Sequence, residues 1–293
     1  MKNILIVGGT GTLGKELAAQ LLGKGEKVYV LTRNPTKTGP LSTSGVHIVE
    51  GDLTDKTSLV RACKGMDIVI SAAHSLLGKG KYASEKVDDL GQKNLIDAAI
   101  TEGVKHFIFT SVIGASDHHG SDFWRRKWQT EQYLLTSGLS YNIVRASAFM
   151  EFHIAEMLGK SIVAKGKTTI FGKGQNPTNF VSVKDVAALM CRLSETPQYR
   201  NQIFEIGSPD NLSRLEIVKI YEEKIGKPIK ISHVPNGILR FMSSVLKPFH
   251  PGISRVLFVS DLFDRTEQAF DVRPLLEKIP MPLTTVSDFI KHN

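Results

Sequence analysis

Along the first half of the chain, short apolar runs alternate with longer stretches in which apolar residues recur every three or four positions. Asn3 to Val7 is a continuous apolar run, too short for a helix and closed by glycine, and predicts a buried strand. From Leu13 to Leu22 the apolar positions take helical spacing, and Gly23 and Gly25 end the helix. Lys27 to Thr32, with its alternating β-branched and aromatic residues, predicts a second strand, and Val46 to Val49 a third, followed by a short helix near Asp55 to Cys63. A strand at Asp67 to Ser71, a long helical pattern from Tyr82 to Thr101, a strand at Lys105 to Thr110, a helix near Asp122 to Ser137 and a strand at Tyr141 to Arg145 complete the series. Strands alternating with helices require crossover connections, hence a parallel sheet with helices on both faces. The fold class is therefore α/β, a doubly wound parallel sheet.

After Phe149 the alternation loosens. Helical stretches near Glu151 to Ala164, Val183 to Leu193 and Ser213 to Ile225 are interleaved with short strands at Thr168 to Phe171, Asn179 to Ser182 and Ile203 to Ile206. This pattern predicts a smaller mixed C-terminal lobe. The expected division is residues 1–150 and 151–293, with about 179–194 returning to the first part. The apolar stretch from Val234 to Ser260 carries Arg240, Lys247 and Arg255 and is broken by Pro248 and Pro251, which argues against one continuous interfacial helix. It is expected to line a pocket or an oligomer contact.

Composition narrows the class without choosing a function. The chain of 293 residues is 41% hydrophobic and 23% charged, ordinary globular usage that excludes a disordered or fibrous protein. No apolar run approaches the roughly 18 to 20 residues of a spanning helix. The N-terminal MKNILIVGGTGTLG brings its glycines too early for a secretory leader and lacks a small-residue cleavage site, so the expected location is cytoplasmic. The two cysteines, Cys63 and Cys191, lack CxxC spacing and are expected to be buried, reduced thiols. With 37 basic against 29 acidic residues the net charge is +8, which favours anionic partners such as a phosphate-bearing cofactor, nucleic acid or acidic lipid.

The glycine-rich segment selects among these. Val7-Gly8-Gly9-Thr10-Gly11-Thr12-Leu13-Gly14 follows the first predicted strand and opens the first predicted helix, and it fits GxGxxG from Gly9 as well as GxxGxxG from Gly8. One glycine permits the tight turn, the middle one lets a pyrophosphate approach the backbone, and the last lets helix and strand pack closely. The helix N-terminus then offers free N–H groups to the phosphates. Candidate cofactor residues here are Gly8, Thr10, Gly11, Thr12, Leu13 and Gly14. At the end of the second strand the chain reads Thr32-Arg33-Asn34-Pro35, with Lys37 close behind, where an NAD-binding chain would carry a carboxylate. Arg33 and Lys37 suit the 2′-phosphate of NADP(H) instead. Asp52 can accept from the adenine amino group while Leu53 packs on the ring, although an aspartate there also reads as a turn residue. Ala72, Ala73 and His74, after the fourth strand, would let a ribose lie against backbone.

These residues, together with Ser140-Tyr141-Asn142-Ile143-Val144-Arg145 and Asn179-Phe180-Val181-Ser182-Val183-Lys184-Asp185-Val186-Ala187, resemble the NmrA-like atypical short-chain dehydrogenase/reductases over roughly residues 1 to 195. The resemblance implies a Rossmann domain binding NADP(H), with the C-terminal lobe forming the substrate pocket. Such proteins include NADPH-dependent quinone and phenylpropanoid reductases, sugar epimerases and redox sensors without turnover.

Reduction of a carbonyl needs a proton donor, which in typical family members is a tyrosine followed four residues later by lysine on the helix after the fifth strand. Tyr82 and Lys86 have that spacing but lie one crossover too early, and are expected to be ordinary helix residues. On the correct helix Phe123 stands at the tyrosine position, and Lys127 is in place with Glu131 four residues on, a pattern some NmrA-like reductases keep. Lys127 is the candidate that holds the nicotinamide ribose or assists proton delivery; the plainer reading is an exposed i,i+4 ion pair with Glu131. Ser111, ending the fifth strand, is the candidate hydroxyl near the substrate carbonyl. Arg145 would face the nicotinamide from the other side, with Ala146 where the family more often has proline. His118-His119 reads as surface loop, and no metal-ligand set surrounds it. Phe123 to Trp128 reads as a helix with an aromatic core face and a basic outer face, without a nucleic-acid-binding motif elsewhere. The expected activity is NADPH-dependent hydride transfer to a quinone-like, enone or other carbonyl substrate, with no nucleic-acid or membrane partner. The alternative is a non-catalytic NADP(H)-binding redox sensor or assembly protein.

Overall fold

The structure is a computed structural model in which residues 1–292 are described, the side chains of Lys37, Pro40 and Ser42 excepted. The chain forms two compact units, Met1–Arg145 with Val186–Phe204, and Ala146–Asp185 with the chain from Glu205 onward.

The first unit alternates strand and helix as β1 (Asn3–Val7), α1 (Thr12–Gly23), β2 (Lys27–Thr32), β3 (His47–Glu50), α2 (Lys56–Cys63), β4 (Ile68–Ser71), α3 (Gly91–Thr101), β5 (His106–Val112), α4 (Asp122–Leu135) and β6 (Tyr141–Ala146). In the second unit β7 (Ala148–Phe149), α5 (Lys160–Lys165), β8 (Lys167–Phe171) and β9 (Thr178–Val181) follow. Next come α6 (Val183–Glu195), most of which belongs to the first unit, and β10 (Gln202–Ile206). The rest is β11 (Asn211–Leu212), α7 (Arg214–Ile225), β12 (Lys230–Val234), α8 (Asn236–Leu246), α9 (Pro251–Arg265), α10 (Arg273–Lys278) and α11 (Val286–His292).

The main sheet has the order β10-β6-β5-β4-β1-β2-β3, and the pairs β1–β2, β1–β4, β2–β3 and β4–β5 are all parallel. Read from β3, this is the Rossmann order 3-2-1-4-5-6 with one strand added, and the order reverses between β1 and β4. The strands that flank this switch point are apolar, apart from Asn3 and Ser71 at their ends, because both faces are covered: Ile4, Leu5, Ile6, Val69 and Ile70 have no accessible surface. A core of Leu5, Val69, Leu95, Ile96, Phe107 and Phe109 fixes α3 and α4 to one face. Cys63 and Cys191 are buried free thiols, and burial pushes both up to about 12.

The second unit has a three-stranded sheet, β11-β9-β7, and a parallel pair, β12–β8. Its core gathers Met150, Ile154, Phe180, Ile217, Tyr221 and Phe289. Helix α7 starts with a reciprocal capping box in which Ser213 accepts from the Glu216 N–H and Glu216 from the Ser213 N–H. The segment from Val234 to Ser260 is largely two helices, and Val259 and Ser260 at its end line a cavity, one of the two roles expected of it. The two helices are joined crosswise by Ser243 Oγ to Ser254 O and Ser254 Oγ to Ser243 O, at 2.9 and 2.7 Å, and Ile238, Phe241, Val245 and Phe249 are exposed. No described helix is long and apolar enough to cross a membrane.

Two helical stretches depart from the expected α-winding. Glu85–Leu90 and Glu151–Gly159 are π-helical, so the long helix expected from Tyr82 starts at Glu85 and tightens into α3 only at Gly91. Tyr82 ends a separate 3₁₀ turn, Gly80–Tyr82.

Candidate functional site

At the switch point the loops after β1 and β4 press together. A Cβ at Gly8, whose φ is +87°, would stand 2.7 Å from the Ala73 nitrogen, and one at Gly14 would stand 2.3 Å from the Gly8 oxygen. These glycines answer to the protein's own packing. Gly11 does not: it is exposed, has ordinary extended backbone, and a Cβ there would meet only the Gly8 oxygen, at 3.3 Å. The side chain missing at Gly11 leaves room on the solvent side, which is where a pyrophosphate would approach. Gly11 also caps α1 without any side-chain hydrogen bond, so the first-turn N–H groups of Thr12, Leu13 and Gly14 are not taken by a side-chain cap. Thr10 and Thr12 are exposed beside them, and Leu13 is buried. The residues present fit a dinucleotide's phosphates.

The residues assigned to the adenosine end are linked through one that was expected to be an ordinary helix residue. Tyr82 donates from its hydroxyl to Asp52 Oδ2 at 3.2 Å, and the Arg33 guanidinium stacks on its ring, 4.1 Å from the centroid. Asp52 also accepts from the Thr54 N–H at 2.9 Å, the turn role, and Leu53 is buried beside it. The Lys37 side chain lies outside the described residues. The turn signal Gly78-Lys79-Gly80 just before Tyr82 is what could have separated it from the helix.

At the other end, Lys127 is 3% exposed, and its Nζ donates to the Thr110 carbonyl at 2.9 Å while lying 4.7 Å from the Phe109 ring centroid. The expected surface pair with Glu131 does not form. Glu131 is wholly buried and is clasped by Arg145, Nε to Oε1 at 3.0 Å and Nη2 to Oε2 at 2.6 Å. That bidentate pair sets aside the plainer i,i+4 reading: Glu131 is engaged by Arg145, and the Arg145 guanidinium is turned to Glu131. Burial lowers the Lys127 pKa below the usual lysine range, against the pull of Asp88 and Glu131. Asp88 is the residue the sequence hid. It falls inside the long helical pattern from Tyr82 to Thr101 and is wholly buried, accepting from the Ser75 N–H at 2.8 Å and the Ser84 hydroxyl at 2.5 Å.

Ser111 is placed on the same face of β5 as Phe107 and Phe109, the face α4 covers, and it is buried with no hydrogen-bond partner for its hydroxyl among the described residues. Phe123, at the tyrosine position, is buried and meets the His74 ring edge-on at 6.2 Å. Ala72 and Ala73 are half-buried, with the Ala72 N–H donating to Val7 O at 2.8 Å. His74 is exposed; desolvation by the protein atoms near it, then the Lys127 charge, lowers its pKa, with Asp88 opposing. His118 is exposed beside Asp117, and His119 stacks on Trp124, whose Nε1 donates to Ile113 O at 3.0 Å. No metal-binding cluster of His, Cys, Asp or Glu occurs among the described residues.

A parallel sheet in Rossmann order, a glycine turn at its switch point and a buried lysine behind the fifth strand define the class of nucleotide-binding, reductase-type α/β proteins. The chain belongs to the NmrA-like family, whose family model matches residues 1–289. It is 28% identical to the photosystem II assembly factor Ycf39 of Synechocystis sp. over 296 residues, covering 99% of this chain and 90% of that protein. It is also 28% identical to the NAD(P)H azoreductase of Xenophilus azovorans over 229 residues, 78% of this chain and 75% of that one. Among solved structures, the Citrobacter sp. triphenylmethane reductase complexed with NADP(H) superimposes with a TM-score of 0.82 at 21% identity, over 99% of each chain. The NADPH-dependent quinone oxidoreductase of Escherichia coli complexed with NADPH gives 0.79 at 21% identity, again over 99% of each.

Proposed function

We propose that the protein is an NADP(H)-dependent oxidoreductase that reduces a quinone-like, enone or other carbonyl substrate, the first unit holding the cofactor and the second taking the substrate. The observation that carries this reading is the glycine turn at the switch point followed by Arg33, not a carboxylate, at the end of β2. Gly8, Thr10, Gly11, Thr12, Leu13 and Gly14 would hold the pyrophosphate, Arg33 and Lys37 the 2′-phosphate, Asp52 and Leu53 the adenine, and Ala72, Ala73 and His74 the ribose side. When bound, NADPH supplies the hydride. Lys127, held by the Thr110 carbonyl, keeps a positive charge in a desolvated place and positions the ribose through its remaining N–H donors. Its lowered pKa brings proton donation closer to neutral pH, and the unpaired Ser111 hydroxyl on the same face of β5 is the group to pass a proton on. The reductase relatives support this reading.

The test is titration with NADPH and, separately, NADH, followed by tryptophan quenching, since Trp124 packs against Phe123 at 5.6 Å. Tight NADPH and much weaker NADH binding is expected. Equal affinities would defeat the 2′-phosphate assignment, and no binding of either would defeat the proposal.

A second reading is favoured by Phe123 at the tyrosine position and by the Ycf39 relatives: an NADP(H)-binding assembly protein without turnover. A quinone and carbonyl screen in which the wild type binds NADPH but never oxidises it would decide for that reading.

A further inference from the structure

Arg214 opens α7 in the second unit, and its surroundings are unusual for a cation. The guanidinium lies over the Phe180 ring, 4.8 Å from the centroid. Nη1 donates to the His153 carbonyl and Nη2 to His153 Nδ1, both at 3.3 Å, long for bonds from an ion. No carboxylate lies within ion-pair reach of it among the described residues, and three of its five N–H groups have no protein acceptor. Arg214 is half-buried, and a charge largely withdrawn from water is ordinarily paired or neutralised. Arginine does not neutralise: burial brings its pKa down to about 10, which leaves it charged at neutral pH. His153 does not share the charge, because burial and the adjacent guanidinium push it down to about 3 and leave it a neutral acceptor at Nδ1.

Arg214 belongs to the wall of a cavity of about 50 Å³, which His153, Asn176, Thr178, Ser260 and Asp264 also line. At roughly 15 Å³ per water this is room for about three waters, or for the head of a compact oxyanion. Asp264 is the acid on that wall, and its oxygens are engaged elsewhere. Oδ1 accepts from the Gly174 N–H at 2.6 Å and Oδ2 from the Asn236 amide at 2.8 Å, with Lys173 beside it. It fastens the Gly172–Gly174 turn, whose glycines take φ of +81° and +72°. His153 is carried by the π-wound stretch Glu151–Gly159, an irregularity that recurs at functional sites.

We propose that the Arg214 cavity binds a compact oxyanion, a carboxylate group carried by the substrate. The proposal builds on the reading of the second unit as the substrate-taking one. Arg214 is the counter-ion the ligand needs and the ligand the counter-ion Arg214 lacks. The neutral His153 ring holds the fork in place, and Phe180 keeps its face covered.

The experiment is thermal unfolding and calorimetry of the full chain with benzoate, acetate and inorganic phosphate at fixed ionic strength, and with neutral benzamide as the control. Oxyanions are expected to raise Tm and to bind the wild type roughly tenfold to a hundredfold more tightly than they bind Arg214→Met, with benzamide without effect. Benzoate binding more tightly than acetate or phosphate marks the site as one for a substrate's own group; phosphate binding most tightly makes it a site for free inorganic anion and overturns the substrate assignment. Arg214→Gln, which keeps a donor toward the His153 carbonyl without the charge, guards against a folding defect in Arg214→Met. Equal responses of wild type and both variants, or none to any oxyanion, would overturn the proposal. NADPH titration of the same samples keeps the two readings apart, because loss of nucleotide binding leaves anion binding measurable.

Discussion

Each unit withdraws a cation from water, Lys127 fully and Arg214 in part, next to a histidine and near a π-wound helical stretch, and the two are compensated in opposite ways. Lys127 in the first unit feels two buried carboxylates, Asp88 and Glu131, and has a backbone carbonyl to hold. Arg214 in the second has a long bond to a carbonyl, a neutral ring and an aromatic face, and no acid. The first is an internally balanced network that fixes geometry. The second is a charge whose balance must come from outside the chain. A buried ion therefore says little until its partners are counted.

Glu131→Gln should cut deepest into that contrast, because it leaves the Arg145 fork facing a neutral amide in a buried setting. We expect a loss of about 3 kcal/mol in urea unfolding, whereas Arg214→Met, which removes an unbalanced charge, should change stability by no more than about 1 kcal/mol or increase it. If the two variants cost the same, the contrast fails. Lys127→Met comes next: turnover should fall about a hundredfold with NADPH affinity much less affected. The His74 imidazole, freed of a neighbouring charge, should titrate at higher pH by NMR. An unmoved His74 would separate the two residues.

The smallest effect is in acid. His153 is held at about 3 and His106 at about 4, both below the ordinary imidazole value of 6.5, chiefly by burial. Between those values and 6.5 the unfolded chain binds more protons than the folded one, so stability is complete above about pH 6.5 and falls as pH drops through the window. The Arg214 charge is the second cause at His153. Arg214→Met should therefore make the acid loss shallower in a pH series of Tm values, and an unchanged slope would detach His153 from Arg214.

The first unit was legible because its strands are continuous apolar runs and its helices are punctuated by glycine. Asn3–Val7 and Lys27–Thr32 coincide with the strands expected, and Asp55 stands at the start of α2 as its cap. What composition does not carry is winding and partnership. Glu85–Leu90 has the side chains of an exposed α-helical turn, and it takes the wider π turn, with Thr130 of α4 donating to the Asp88 carbonyl and the Ser75 N–H to its carboxylate, to hold Asp88 inward. Glu131 is four residues from Lys127, but Arg145 comes from β6, and no local pattern announces a pair across 14 positions. Strand β12 went unread because five residues are too few for a period to be measured, and α8 and α9 because Pro248 and Pro251 break the apolar stretch that holds them.

The order in which the chain visits its two units has a consequence for synthesis. The polypeptide leaves the first unit after Arg145, returns at Val186 and departs again after Phe204. Six of the seven strands of the main sheet emerge from the ribosome before any of the second unit does, while the seventh, β10, is made only after Ala146–Asp185 has appeared. The second unit cannot be cut out as one fragment or appended as one exon-like block. A chain halted near residue 185 would hold the glycine turn and most of its sheet, with the edge beside β6 still waiting for its last strand.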